Sequence, residues 1–158
     1  TDLNAVVDQV LDNFSSTIEN VQATIQRSNL PTLPAVPFQM RQVFSNLIGN
    51  SLKFVKENVP PKIEIKWEKV SNNDIRTMNL TENTPYFKIT VTDNGIGFPK
   101  GMEKKIFEVF QRTHAKHEFE GTGIGLAIVR KIIDNHGGII TAIGNEGKGA
   151  VFVLYLPQ

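Results

Sequence analysis

The feature that most constrains this chain is a pair of glycine turns on either side of a polar, basic segment. The first turn, Asp93-Asn94-Gly95-Ile96-Gly97, follows a run typical of a strand. The second, Gly121-Thr122-Gly123-Ile124-Gly125-Leu126, leads into a run typical of a helix. Glycine allows the backbone to turn tightly and to approach a ligand closely. The two turns therefore predict a phosphate-binding site with a lid between them, over about 98–121.

Composition excludes several kinds of site. With 158 residues, 40% of them hydrophobic, the chain is long enough for one domain with its own core, spanning 1–158. It has 17 basic and 16 acidic residues, a balance that gives no reason to expect nucleic acid or an anionic membrane as a partner. No cysteine is present, which excludes disulfides and thiolate metal sites.

Other absences bear on where the chain works. The three histidines do not have zinc-ligand spacing. No apolar run reaches membrane-spanning length, and no signal peptide is visible. The chain starts at Thr1 rather than Met, which favours an excised domain or a processed product. We expect a cytoplasmic domain with no direct membrane contact.

Periodicity of the apolar residues predicts the secondary structure. The predicted helices cover 2–14, 38–56, 102–111 and 122–135. The predicted strands cover 18–26, 62–70, 86–93, 139–143 and 150–156. The polar segment 71–85 reads as a long hairpin loop, and 28–37, with three prolines, as an irregular connection. Elements in this order predict an α+β fold, a two-layer α/β sandwich whose mixed β-sheet is covered on one face by helices.

One flank of the second predicted helix carries a row of polar residues. Asn46, Asn50 and Lys53 follow one another at i, i+4 and i+7, so they lie beside its apolar face. Two amides and an ammonium in a row could hold a metal ion and phosphates. The alternative, which the helix alone favours, is a solvated helix edge.

Asp93 is the most informative single residue. Period two places it on the same strand face as Ile89 and Val91. A carboxylate at the edge of a core is costly unless it receives hydrogen bonds, and the amino group of adenine is a suitable donor. The alternative is that Asp93-Asn94-Gly95 is only a turn.

The glycine turn at 121–125 is a weak signal by itself. It precedes a helix, as anion-binding turns do, but no convincing strand precedes it, and no strand-end acid follows at the spacing of a dinucleotide fold. No Gly-Lys-Ser/Thr sequence follows the glycines either. A dinucleotide-binding fold and a Walker-type loop are therefore both excluded.

Four motifs in order are far more specific. They are Asn46-Leu47-Ile48-Gly49-Asn50-Ser51-Leu52-Lys53-Phe54, then Asp93 to Gly97, then Ile106-Phe107-Glu108-Val109-Phe110-Gln111-Arg112, then Gly121 to Leu126. The series resembles the N, G1, F and G2 boxes of the sensor histidine kinase catalytic and ATP-binding domain. That family belongs to a wider group with gyrase, Hsp90 and MutL, and the resemblance covers the whole chain. It implies the Bergerat ATP-binding fold.

The resemblance also implies a role for each motif. Asn50 would bind Mg²⁺, Asn46 would support the metal or the phosphates, and Lys53 and Arg112 would contact phosphate. Asp93 would receive the adenine amino group, while Gly95, Ile96 and Gly97 would let the backbone approach the nucleotide. Residues of the lid and of the second turn would complete the site: Phe107, Phe110, Gly121, Thr122, Gly123, Gly125 and Leu126. ATP and Mg²⁺ are the implied cofactors.

The type of reaction depends on Asn46. The ATP-hydrolysing relatives carry a glutamate at this position, which activates water, whereas an amide cannot accept a proton at neutral pH. Phosphoryl transfer needs mainly positioning and charge stabilisation, so the chain is expected to be a kinase rather than an ATPase. The resemblance implies as partners a histidine-containing dimerisation and phosphoacceptor domain, absent from this chain, and a downstream response regulator.

Three residues qualify the resemblance. His117 superficially mimics an acceptor motif but falls in the predicted lid, and His136 fits the C-terminal end of a helix. Ala150 departs from the family pattern, in which a threonine or serine helps to bind a water near adenine. Two other functions stay open: a degenerate nucleotide-binding or docking module, and a protein-serine kinase of the same fold.

Overall fold

The computed structural model of the chain describes residues 1–108 and 124–158. Its helices are α1 (Leu3–Asn13), α2 (Ser15–Val21), α3 (Pro37–Lys53), α4 (Asn72–Thr77) and α5 (Gly125–Asn135), with a 3-10 turn at Lys105–Phe107. Its strands are β1 (Thr24–Arg27), β2 (Lys62–Lys69), β3 (Tyr86–Asp93), β4 (Ile139–Asn145) and β5 (Gly149–Pro157). The prediction of an α+β fold with a mixed sheet is confirmed.

The five strands form one sheet in the order β1-β2-β3-β5-β4. β1 runs parallel to β2, and the other neighbours are antiparallel. β3 is therefore central, with Ile63 of β2 and Val151 of β5 flanking its C-terminal end at Asp93 and Thr92, respectively. This arrangement places the C-terminal end of β3 between the first residues of β2 and the first residues of β5.

The main hydrophobic core lies between one face of the sheet and helices α1, α3 and α5. Ile89 and Val91 of β3 face it and are 0% and 1% exposed. Phe44, Leu47 and Ile48 of α3 are each fully buried against it, because residues three and four apart share one side of a helix. The packing of α1, α3 and α5 on one face of the sheet is as the sequence predicted.

The segment predicted as a long hairpin loop contains a helix instead. β2 and β3 do pair antiparallel, but α4 begins at a capping box in which Ser71 and Asp74 bond each other's backbone N–H groups. Helix α4 packs Ile75 on the other face of the sheet, in a second cluster with Tyr86 and Tyr155. The capping box satisfies the first free N–H groups of the helix, which explains how a polar segment forms one.

Three other predicted elements differ in extent. The strand predicted over 18–26 is wrong for its first part, because Ile18 lies in α2 and the left-handed Gln22 (φ 56°) ends that helix. The helix predicted over 102–111 is only a 3-10 turn within its described part. The helix predicted over 38–56 ends at Lys53. The last prediction failed because Phe54 and Val55 continue the apolar pattern after the helix has stopped.

None of the helices among residues 1–108 and 124–158 is both long enough and apolar enough to cross a membrane.

Candidate functional site

A cavity opens where the end of α3, the loop after β3, the start of α5 and strand β5 meet. Together with the solvent space at its open mouth, it encloses ≈ 460 Å³. It is lined by Asn50, Phe54, Asp93, Gly97, Phe98, Ile106, Leu126, Ala150 and Phe152. Four residues predicted from three separate motifs thus line one cavity: Asn50, Asp93, Gly97 and Leu126.

Asp93 ends β3 with its carboxylate held by three hydrogen bonds. Oδ1 accepts from the backbone N–H of Gly95 at 2.9 Å and from that of Ala150 at 3.3 Å. Oδ2 accepts from the Ser51 hydroxyl at 2.9 Å. Burial raises the pKa of Asp93, and these hydrogen bonds oppose the rise without cancelling it. The carboxylate is therefore fixed in place at the wall of a mostly apolar cavity.

The first glycine turn is packed closely against two other segments. A Cβ on Gly95 would lie 2.2 Å from the Phe54 carbonyl oxygen, and one on Gly97 would lie 2.3 Å from the Asn145 carbonyl oxygen. Gly97 also has φ +65°, which side chains rarely adopt. Glycine is required at both positions, so this turn is a built part of the cavity wall rather than a generic loop.

The row of polar residues on α3 is only partly gathered at the cavity. Asn50 lines it. Asn46 donates from Nδ2 to the Gln42 carbonyl at 2.9 Å, and its Oδ1 lies 3.0 Å from where a Cβ on Gly125 would stand. The N-terminus of α5 therefore packs against Asn46. Lys53 does not line the cavity: its Nζ lies 5.5 Å from the centre of the Phe54 ring.

Further predicted site residues lie around the cavity. The backbone of Ile96 bonds the Phe54 carbonyl through its N–H and accepts from Gly147 through its oxygen. Phe107 is buried and meets the Phe152 ring edge-on at a centroid distance of 6.3 Å. Six predicted positions lie outside the described residues: Phe110, Arg112, His117, Gly121, Thr122 and Gly123.

Sequence reasoning missed several residues of this site. The aromatic wall formed by Phe54, Phe98 and Phe152 carries no sequence signal that separates it from ordinary core. Ser51 did carry one, because it follows Leu47 and Ile48 at i+4 and i+3 and so interrupts the apolar face of α3. Ala150, noted in the sequence as a departure, contributes its backbone N–H.

Comparison with known proteins identifies the family. Residues 35–158 match the model of the family described as histidine kinase-, DNA gyrase B- and HSP90-like ATPases. The chain belongs to this family. The matched residues include α3, the residues that line the cavity and the whole of the sheet except β1. The predicted resemblance is therefore confirmed.

Proteins similar to this chain include a phytochrome-like protein and a histidine kinase. The phytochrome-like protein Cph1 of Synechocystis sp. (strain ATCC 27184 / PCC 6803 / Kazusa) is 37% identical over 99% of this chain and 19% of its own length. The solved catalytic domain of histidine kinase ThkA is 29% identical, with a TM-score of 0.74, over 99% of this chain and 94% of that one. ThkA has also been solved in complex with the response regulator protein TrrA.

A third similar structure holds a nucleotide analogue. Full-length ShkA in complex with AMPPNP is 26% identical, with a TM-score of 0.75, over 99% of this chain and 30% of ShkA. The chain spans about a fifth of the length of the first curated relatives that it matches, at 19% for each. It corresponds to the ATPase-family part of such proteins.

Proposed function

We propose that this chain is the catalytic domain of a sensor histidine kinase, which binds Mg-ATP and transfers its γ-phosphoryl group to a histidine on a separate helical domain. The observation that carries the proposal is the cavity in which the Asp93 carboxylate and the Asn50 amide share one apolar site. A purine needs an apolar slot with a hydrogen-bond acceptor for its amino group, and this cavity offers both.

The residues present suit Mg²⁺. The ion prefers oxygen ligands and keeps several waters, so one amide oxygen plus phosphate oxygens makes a reasonable shell. Asn50 is half-buried at the cavity wall, and we assign it as the ligand that would hold the ion. When bound, Mg²⁺ would supply charge neutralisation at the phosphates. Within residues 1–108 and 124–158, no group of three or more acidic, histidine or cysteine side chains offers another metal site.

The reaction is a displacement at the γ-phosphorus. A ring nitrogen of the acceptor histidine forms a bond to that phosphorus while the bond to the β–γ bridging oxygen breaks, and ADP leaves. In our proposal Asp93 orients the adenine, the turn around Gly97 shapes the nucleotide site, and Asn46 and the N-terminus of α5 lie towards the phosphates. Partial positive charge at a helix N-terminus suits that position. Asn46 cannot act as a base for water, which supports transfer over hydrolysis.

The proposed domain comprises residues 1–158, with an ATP lid over about 98–121 that includes Phe107. Its implied partners are ATP, a histidine-containing dimerisation and phosphoacceptor domain and a response regulator. The complex solved for ThkA with TrrA supports the last of these by similarity. We also propose a cytoplasmic location, because phosphoryl transfer from ATP needs a supply of the nucleotide.

The direct test supplies the chain with radiolabelled ATP, Mg²⁺ and a purified helical domain of a relative such as ThkA that contains the acceptor histidine. We expect acid-labile label on that domain, as phosphohistidine. Asn50→Ala should abolish the labelling, whereas the exposed Asn20→Ala should leave it unchanged. Undiminished transfer by Asn50→Ala would refute the metal-ligand role, and acid-stable label would indicate a protein-serine kinase.

Calorimetry separates the kinase from a docking module. Heat of binding for Mg-ATP that saturates below millimolar concentration supports the proposed function. Absence of binding at millimolar nucleotide would favour a module that acts through partners alone.

A further inference from the structure

We propose that Ser51 is a positioning residue that orients the Asp93 carboxylate towards the amino group of adenine and so contributes to the selection of ATP over oxopurine nucleotides. The inference rests on the proposed function, because it requires a purine nucleotide in the cavity.

Ser51 is a polar residue in an apolar environment. It lies on the apolar face of α3, is 3% exposed, and is the one buried polar or charged residue in the described part of the chain. A buried hydroxyl without a partner costs free energy. The Ser51 hydroxyl donates a hydrogen bond to Asp93 Oδ2 at 2.9 Å. The side chain therefore faces the carboxylate rather than the carbonyl of the preceding helical turn.

The two oxygens of Asp93 are held in different ways. Oδ1 receives two backbone N–H groups, those of Gly95 and Ala150, which are main-chain donors. Oδ2 receives the Ser51 hydroxyl, the one side-chain donor to this carboxylate among the described residues. The Ala150 side chain has no donor to substitute for it. Ser51 therefore adds, on the Oδ2 side, a restraint on the rotation of the carboxylate about its Cβ–Cγ bond to the one that the backbone donors exert on Oδ1.

The remaining acceptor capacity matches one ligand donor. An ionised carboxylate has about four lone-pair sites, and the protein fills three of them. The fourth is available to a ligand in the cavity, because Asp93 lines it. An amino group on a purine can donate to it, whereas a ring carbonyl at the same place would set two acceptors against each other. Sites built in this way discriminate strongly between ligands that differ in one polar group.

The test compares ATP with inosine triphosphate, in which a carbonyl replaces the adenine amino group. Binding of both nucleotides with Mg²⁺ is measured by calorimetry for wild type, Ser51→Ala and Ser51→Cys, a near-isosteric change to a weak donor. The control is Ser45→Ala, the same substitution at an exposed site of α3. We expect both Ser51 variants to bind ATP about tenfold more weakly and inosine triphosphate almost as before. The ratio of the affinity for ATP to the affinity for inosine triphosphate should then fall about tenfold. Ser45→Ala should leave this ratio unchanged.

A merely structural role for Ser51 gives a different result. Loss of a structural residue would lower the melting temperature and weaken the binding of both nucleotides by the same factor. The ratio of the two affinities would then be unchanged in both variants. That outcome, or wild-type ATP affinity in both variants, would overturn the inference and leave the proposed function intact. Wild-type protein that binds neither nucleotide would overturn the proposed function, and this inference with it.

Discussion

The carbonyl oxygen of Phe54 accepts a hydrogen bond from the backbone N–H of Ile96 at 3.1 Å. Phe54 is the first residue after α3, and Ile96 lies in the glycine turn after β3. The bond joins the two segments that carry Asn50 and Asp93, so the distance between those side chains depends on it. It also explains why the turn tolerates no side chain at Gly95, which lies directly over the same carbonyl.

Gly95→Ala should therefore separate the two segments. Its Cβ would stand 2.2 Å from the Phe54 oxygen, a backbone contact that cannot move aside as a side chain can. We expect a loss of about 1–3 kcal/mol in the free energy of unfolding, as in overpacked cores, together with weaker ATP binding. Urea denaturation and calorimetry measure the two effects.

Gly49→Ala is the matched control, because its Cβ would meet only the ring end of the half-buried Phe14, at 3.2 Å. Alanine also favours the helix interior over glycine, so stability should stay at or above that of wild type. A Gly95→Ala protein as stable as the control would contradict the close packing described here.

Asp93→Asn should weaken ATP binding much more than it destabilises the fold. The amide oxygen can still accept from Gly95 and Ala150, and the Ser51 hydroxyl can turn to accept from the new NH₂ group. The ligand amine, however, loses a charged acceptor, which is worth more than a neutral one. Melting temperatures with and without ATP measure this. An equal fall in both samples would instead identify Asp93 as a structural residue.

The stability of the apo protein should depend on pH through Asp93. Burial raises the pKa of Asp93 in the folded state above its ordinary value of 3.8, against the hydrogen bonds that lower it. The folded state therefore holds this proton more tightly than the unfolded one, and the stabilisation is complete below 3.8 and lost as the pH rises through the folded-state pKa. Asp93→Asn removes this dependence.

The free energy of unfolding of Asp93→Asn, relative to wild type, should consequently be higher at neutral pH than at pH values near 3.8. Urea denaturation over a series of pH values gives this difference. A relative stability that falls as the pH rises would mean that hydrogen bonding outweighs burial at this carboxylate.

Ser71→Ala should destabilise the protein without changing ATP affinity. It removes the cap of α4, which costs about 0.5–2 kcal/mol, and α4 packs on the sheet face away from the cavity. The exposed Asn73→Ala in the same helix is the control and should cost little. Weaker ATP binding by Ser71→Ala, with an unchanged melting temperature, would contradict this separation of the two faces.

The stability that Asp74 of the same capping box contributes should change with pH in the opposite direction to that of Asp93. Burial acts to raise the pKa of Asp74, but hydrogen bonds from Ser71 and Lys88 outweigh it and leave that pKa below 3.8. The stabilisation is therefore present above 3.8 and lost as the pH falls through the folded-state pKa. In Ser71→Ala this acid-induced loss should be smaller, because the Ser71 hydroxyl no longer helps to lower the pKa of Asp74, while the backbone N–H of residue 71 remains.

Local chemistry made much of the fold and site predictable. Strand β3 and the inward-facing, half-buried Asp93 follow from period-two alternation, and the buried face of α3 follows from helical spacing. Neighbouring residues determine both patterns. The helix α4 was missed although its Ser71–Asp74 pair is a recognisable capping box, because the polar composition of the segment resembles a loop. The sequence predicts too long a helix α3, because the apolar pattern continues past Lys53 through Phe54, which lines the cavity, and Val55.

The sequence alone determined which kinds of group are available: a carboxylate on an apolar strand face, an amide row on a helix, and glycines where the backbone must turn. Only the tertiary structure decided which of them meet. Ser51 and Ala150 reach Asp93 from 42 and 57 residues away along the chain, and Lys53 turns to Phe54 rather than to the cavity. Sequence spacing fixes the direction of a side chain on its own helix or strand. The register of β3 against β5 and the packing of α3 on the sheet decide what that side chain faces.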